Sequence, residues 1–462
     1  MWYLILAIIV VVMYVRTLNY GYCIDDFDVA KSSVNKESPK SFWVRAYLSW
    51  QGICYKNPRL GHTITFILHL TNSLLVYYAF GQTWIAFLTA LLFAIHPAGT
   101  QGSVWMSGKG YSTATLFTLL MYAFPLAGGL FHYFAFTYGG FSATFAPLIF
   151  IATPFWWMII AIPILWMIKR KRINTALSAK WEITPELTKK VSFIRLILYF
   201  KTLGYYTWLA IFPMKLGAYH TYLYTYGLSK EETKGWHKPD LCALLGVITF
   251  SLFVYCLIFY RLNPITLGLA WYVILISQWC NFPVTLQQAI GERYLSLPLI
   301  GAMYALVNAV YLIPEPITRT IILTAFITFY AIRLNLHIPS YRNVYFQIDH
   351  NLINFPDCYA VFTWKGQEEK NRGAFFTALE AWFQGWKMRK IDFRLNNNIS
   401  VLLAQVGQLD QALDFLKIAE ANIPKDQMEE GMAHINNQRN IIMSIKNKQN
   451  LKNNIILPRG RR

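Results

Sequence analysis

The chain has 462 residues, 55% of them hydrophobic, 17% aromatic and only 14% charged, where an ordinary soluble domain carries about 25% charged residues. Lys and Arg outnumber Asp and Glu by 42 to 23, a net charge of +19. This composition excludes a soluble domain as the account of the whole chain. In so apolar a sequence the basic excess reflects cytoplasmic Lys/Arg and anionic lipid and does not point to nucleic acid.

Apolar runs of membrane-spanning length recur from residue 1 to about 335 and predict an all-α, polytopic membrane domain over 1–340, since lipid leaves backbone groups no partner outside helices or closed barrels. The first run, Trp2 to Val15, has no basic residue before it and no small-residue cleavage site, which predicts a retained helix. The polar and aromatic stretch 19–59 follows, with room for short amphipathic helices such as Phe42 to Trp50. It opens on Cys23-Ile24-Asp25-Asp26-Phe27-Asp28, three carboxylates within four residues in a chain poor in acids. Two accounts of that cluster stand side by side: a solvated loop cap, or a base facing a membrane-borne substrate. Cys23 and Cys54 share the loop and could pair in an oxidising compartment; none of the six cysteines has metal-ligand spacing.

Further runs fall at roughly 60–80, 84–97, 111–127, 130–150 and 151–168. The basic cluster Lys169-Arg170-Lys171-Arg172 then marks the cytoplasmic side, supported by Lys189, Lys190, Arg195 and Lys201. Counting back places the Asp25 loop and the 96–110 loop outside. Counting forward through runs at about 194–215, 241–260, 264–282, 294–313 and 317–336 places Pro283 to Arg293 and the C-terminal region outside as well. The count is about eleven spanning helices.

After residue 340 the long apolar runs stop, so 341–462 reads as a soluble extracytoplasmic domain. Ser400, Gly407, Ala412, Ala419 and Pro424 take the small-residue and proline positions of a tetratricopeptide repeat. One period of about 34 residues earlier stand Gly366, Gly373, Ala378 and Gly385. Trp382 and Leu416 share a large-residue position, and 427–448 reads as a capping helix. Small residues are needed where paired helices cross.

Several constellations carry chemistry. The second outer loop runs from His96 to Gly110 and offers an imidazole, the Gln101 amide, hydroxyls, a glycine-rich backbone and the Lys109 cation, a set suited to phosphate. Arg293, in Gly291-Glu292-Arg293-Tyr294, sits at the outer entrance of an apolar helix, where a guanidinium needs an anionic partner, either a ligand phosphate or an internal carboxylate. His62 and His69 share one face of their helix, lining a cavity or packing against a neighbour.

Taken in order, these residues resemble the transmembrane-and-tetratricopeptide O-mannosyltransferases of the C-type glycosyltransferase superfamily and their microbial relatives. The family's Asp-Asp loop matches Asp25-Asp26, its H-x-x-N helix motif matches His69-Leu70-Thr71-Asn72, and its H-P-x-H-T-E-x-x-x-W-x-S-G-R segment runs ungapped against His96 to Lys109. Its F-P-x-x-L segment matches Phe212 to Leu216, and its D-R-Y-x-Y-L-P motif matches Glu292 to Pro298 with one residue fewer. The chain departs from the pattern at Val76, Gly99, Gln101, Lys109 and Glu292. Gln101 replaces an acid and cannot act as a base, although it can hold a hydroxyl.

The resemblance implies a C-type glycosyltransferase fold with C-terminal tetratricopeptide repeats. It also implies an enzyme that moves a sugar, a mannose-like hexose for example, from a polyprenyl-phosphate donor to a hydroxyl, with protein Ser/Thr the expected acceptor. One of Asp25 and Asp26 would be the base and the other would orient; Arg293, Lys109 and His96 would hold the donor phosphate; Gln101, His69, Asn72, Glu292 and Tyr294 would line the substrate site. A single displacement would invert the anomeric carbon, with no metal or other cofactor required. The partners would be the lipid-linked sugar, membrane lipid and an acceptor polypeptide on the repeats, with no nucleic acid. The setting would be the bacterial inner membrane or the endoplasmic reticulum, with the active site extracytoplasmic. The alternative, motivated by Gln101, is a non-catalytic translocator of lipid-linked sugar or a membrane scaffold on the same fold.

Overall fold

The computed structural model describes residues 1–24, 26, 57–139, 143–164, 167, 193–223, 238–282, 286, 288–423 and 428–456. Asp25, Cys54, the expected helix at Phe42 to Trp50, the basic cluster 169–172 and Pro424 lie outside them. The described residues are helical and contain no strand. They form two compact units, Met1–Asn354 and Phe355–Arg462.

The first unit contains α1 (Trp2–Tyr14), α2 (Pro58–Ala79), α3 (Trp84–Ile95), the short α4 (Thr100–Ser103), α5 (Lys109–Ala123) and α6 (Gly128–Gly139). It continues with α7 (Phe193–Ile211), α8 (Leu241–Phe259), α9 (Pro264–Ser277), α10 (Pro298–Val310), α11 (Pro316–His337) and α12 (Val344–Asn354). Local chemistry explains several starts. Asn57, Asn263 and Glu315 each cap a helix whose first residue is proline, and the carboxylate of Asp240 accepts the Ala243 N–H at the start of α8. Proline's missing N–H costs nothing in the first turn, where that donor has no intrahelical partner. Between α2 and α3, Gly81 and Gln82 both take positive φ, and the hairpin is pinned by the Tyr77 hydroxyl donating to the Gln82 carbonyl (2.9 Å).

Apolar side chains from nearly all of these helices merge into one core that includes Leu6, Leu92, Leu203, Trp271, Met303 and Tyr330. Helices α7 and α8 meet at Gly204 and Gly246. A Cβ on Gly204 would stand 1.8 Å from the Cys242 carbonyl oxygen, so the two backbones touch as they do between small residues in membrane bundles.

Membrane-spanning character is narrower than the hydropathy pattern predicts. Among the described residues three helical stretches are long and apolar enough to cross: Trp2–Asn19, Leu241–Phe259 and Pro316–Tyr341. A fourth is possible if Trp84–Ile95 and Pro97–Ser103, bent by 61°, count as one span. The expectation of about eleven spans is therefore corrected, because several apolar runs do not form single helices. In the run at 130–150 the described α-helix is Gly128–Gly139, and Ala146–Ala152 forms a 3₁₀ helix. Within 151–168 the described structure includes the 3₁₀ turn Trp156–Ile160. The run at 264–282 yields a helix of only 14 residues, and Pro298 delays the helix expected from 294.

The second unit has α13 (Tyr359–Asn371), α14 (Phe375–Met388), α15 (Phe393–Gln405), α16 (Leu409–Ala421) and α17 (Met428–Ile456). Helices α13/α14 and α15/α16 are hairpins with equivalent small residues. Gly373 and Gly407 turn the two hairpins at φ +81 and +85. A Cβ on Gly366 would stand 2.2 Å from the Trp382 ring, and the Ser400 hydroxyl donates to the Ala412 carbonyl (2.7 Å). Trp382, Leu416, Ala378, Ala412 and Ala419 are fully buried. The junction follows Asn354, beyond the composition break at 340, because α12 is bonded into the first unit through Gln347 and Asn351.

Candidate functional site

The site is organised by two breaks in helical structure. The first is at His96-Pro97. In an unbroken helix the Ala98 N–H would bond the Ala94 carbonyl; here it donates to His96 Nδ1 (3.2 Å). The released Ala94 carbonyl accepts from His69 Nε2 and from the Tyr14 hydroxyl, each at 3.0 Å. His96 Nε2 in turn donates to the Ala210 carbonyl (3.0 Å) at the end of α7. His96 thus has both ring nitrogens committed to main chain and is fully buried, which corrects its assignment to phosphate binding. His69 is likewise a capping group. Asn72 donates to the Ser112 carbonyl (2.9 Å), and Lys109 is buried at the start of α5.

Beyond the break, the loop Val104 to Gly108 carries the acidic side of the site. Asp26 is fully buried. One carboxylate oxygen accepts the Cys23 N–H (2.8 Å); the other accepts the Ser107 N–H (3.1 Å) and hydroxyl (2.6 Å). All three partners are donors that suit an ionised carboxylate. The Trp105 indole donates to the Ile24 carbonyl (3.0 Å), and His62 joins the Val104 and Gly21 carbonyls (3.0 Å each), so the first loop is stitched to the second. The Cys23 thiol donates to the Tyr341 carbonyl (3.2 Å); burial and then the nearby Asp26 charge raise it well above the usual thiol range.

The second break follows Ile211, where α7 ends. The half-buried Arg293 lies over the rings of Trp105 (5.7 Å) and Tyr294 (4.9 Å). It donates through Nη2 to Gln288 Oε1 (2.6 Å), while its backbone N–H donates to Gln101 Oε1 (3.1 Å). Tyr294 stacks on Trp279 with centroids 4.2 Å apart and planes 4° from parallel. Gln101 Nε2 donates to the Gly217 carbonyl (2.9 Å), and the Gly217 N–H donates to Glu292 Oε1 (2.5 Å).

No family model, curated protein or solved structure matches the chain. The geometry therefore carries the functional argument alone.

Glu292 is the second fully buried carboxylate of the site. Besides the Gly217 N–H, Oε1 faces His220 Nε2 (3.0 Å), and Oε2 faces His337 Nε2 (3.3 Å). The ionised carboxylate only accepts, so His220 carries a proton on Nε2, and its Nδ1 meets the Tyr205 hydroxyl (2.9 Å). On its other side His337 meets His350 Nε2 (3.1 Å). Burial alone would raise the Glu292 carboxyl, but hydrogen bonds from His220 and His337 outweigh it and hold it at about 2. Burial, followed by the neighbouring His337, pushes His350 down to about 4. Both oxygens of Glu292 are bonded inside the protein.

The structure therefore brings Asp26, Gln101, Glu292, Arg293 and Tyr294 together around the loops 104–108 and 213–219. It sets His69, Asn72 and His96 behind them as helix-break and packing groups. His220, Gln288, His337 and His350 escape sequence reasoning. The signal available was Glu292 itself: a lone acid entering an apolar helix has to find donors, and histidine is the donor type still unassigned.

Proposed function

We propose that the chain is an integral membrane glycosyltransferase that moves a sugar from a polyprenyl-phosphate donor to a hydroxyl acceptor, protein Ser/Thr in the first instance, with inversion. One observation carries this reading: a single short loop holds an acid and a cation. Asp26 is bonded to Ser107, and Arg293 lies over Trp105 two residues away. A hydroxyl nucleophile needs a base, and a lipid phosphate leaving group needs fixed positive charge, so this pairing suits the chemistry. Arg293 and Lys109 are assigned to the donor phosphate. Asp26, with three donors on its carboxylate, orients, and Asp25 is assigned as the base. Tyr294 and Gln101 border the sugar. The paired hairpins of the second unit act as tetratricopeptide repeats that hold the acceptor polypeptide, and the active side faces away from the cytoplasm.

Transfer of a radiolabelled hexose from a polyprenyl phosphate to a Ser/Thr-rich peptide tests the reading on the purified full chain. Asp25→Asn is expected to lower kcat by about 10²- to 10⁴-fold. Undiminished transfer by both Asp25→Asn and Asp26→Asn would sink it. Donor binding without transfer in the unmodified protein would instead favour the translocator.

A further inference from the structure

The most unusual stretch of backbone in the first unit is Pro213 to Tyr219, which is neither helix nor strand. Its main-chain groups are satisfied by side chains. The carbonyls of Pro213 and Met214 accept from Arg333, and the Leu216 carbonyl bonds His350. Gly217 donates to Glu292 and accepts from Gln101; Ala218 accepts from Gln288 Nε2 (2.9 Å); Tyr219 both donates to and accepts from Asn351 (2.8 and 3.1 Å). Buried irregular backbone is tolerated only with such partners.

Two of these six side chains also bond Arg293. Gln101 and Gln288 each give their amide N–H₂ to this segment and their amide oxygen to Arg293. An amide offers a donor and an acceptor from one planar group; an ionised carboxylate in either place would face a carbonyl with no proton to give. Arg293 is thereby referenced to the 213–219 segment at two places, by Gln288 at its guanidinium (2.6 Å) and by Gln101 at its backbone N–H (3.1 Å), with Nη1 3.5 Å from the same Gln101 oxygen. Glu292, its chain neighbour, closes the circuit through the Gly217 N–H.

We infer that Gln101 and Gln288 are positioning residues that lock Arg293 to the Pro213–Tyr219 segment, so that the segment sets where the cation meets an anionic headgroup. The inference rests on the donor-phosphate reading of Arg293 for its functional half; the lock itself does not. It also gives Gln101 a role independent of acid–base chemistry.

The test uses the full chain in nanodiscs and two readouts. Hydrogen exchange of the amides at 214–220 reports the lock, and the Kd for a polyprenyl monophosphate reports the headgroup site. Gln288→Ala, at a half-buried position, is expected to speed exchange of the segment about tenfold and to weaken phosphate binding about fivefold. Gln288→Glu keeps an acceptor for Arg293 but loses the donor to Ala218, and should loosen the segment equally. In an Arg293→Ala background neither change should weaken binding further, because a residue acting through Arg293 has nothing left to act on. Unchanged exchange in both variants overturns the lock whatever the ligand is. Faster exchange with losses that add to Arg293→Ala overturns the positioning role and leaves only packing. If the unmodified protein does not bind polyprenyl monophosphate, the proposed function fails, and the exchange readout still decides the lock.

Discussion

Asp26 and Glu292 are both fully buried carboxylates, yet they are neutralised by opposite means. Asp26 meets two backbone N–H groups and a serine hydroxyl, donors that do not change with pH. Glu292 meets one backbone N–H and two imidazoles, one of them joined to a third. The first arrangement is rigid in its demand for an anion. The second places side-chain rings, themselves held by Tyr205 and His350, where the first has mostly main chain. A burial penalty of similar origin is thus met in one region by fixed dipoles and in the other by titratable rings.

The comparison breaks hardest at truncation. Glu292→Ala leaves His220, the Gly217 N–H and His337 without their acceptor and is expected to cost about 3–5 kcal/mol, the range for removing one partner of a buried charged network. Chemical denaturation in detergent measures it. Amide replacement sharpens the contrast. Asp26→Asn turns an N–H₂ toward either the Cys23 or the Ser107 N–H and should cost about 1–3 kcal/mol. Glu292→Gln can donate to His337 Nε2 while its oxygen keeps the Gly217 and His220 donors, and should cost less. Equal losses for the two amide variants would erase the distinction.

The next expected effect is on pH dependence. Glu292 is held at about 2 when folded, below its ordinary 4.5, so its stabilisation is complete above about pH 4.5 and disappears as pH falls through 2. His350, held near 4 against an ordinary 6.5, stays neutral in the fold while the unfolded chain takes up a proton; stability therefore falls as pH drops from 6.5 toward 4. Tm followed from pH 7 to 2 should decline first through the His350 phase and then through the Glu292 phase. His350→Gln should remove the upper phase and Glu292→Gln the lower one.

The smallest effect belongs to the second unit. Gly373→Ala and Gly407→Ala force a Cβ into the left-handed turns of the hairpins and should cost about 1 kcal/mol each. Neither should alter polyprenyl phosphate binding.

The helices and the hairpin register were legible because they are local. Capping residues, prolines and small residues act within one or two turns, and Gly373 and Gly407 both take positive φ between paired helices. The number of spans was overread because hydropathy averages across Ala146–Ala152, which is a 3₁₀ helix, and across Pro298, where an α-helix starts. In the site, Asp26 and Arg293 stood out as rare charges in an apolar chain. The partners of Glu292 did not, since His220 and His337 reach it from elements 72 and 45 residues away and no local spacing links them. His96 misled for a related reason: a histidine before a proline at a loop mouth looks available until the released carbonyl it caps, Ala210 on another helix, is known.

The two-headed amide at Gln101 also bears on how this sequence could be redesigned. Gln101→Glu sets a carboxylate against the Gly217 carbonyl that the amide now serves, on the same residue whose N–H serves Glu292. The acidic and amide forms of the loop are therefore separated by at least two coordinated changes, one at 101 and one in the 217 segment. An engineer moving one residue at a time would meet a valley between them, and position 101 behaves as a ratchet.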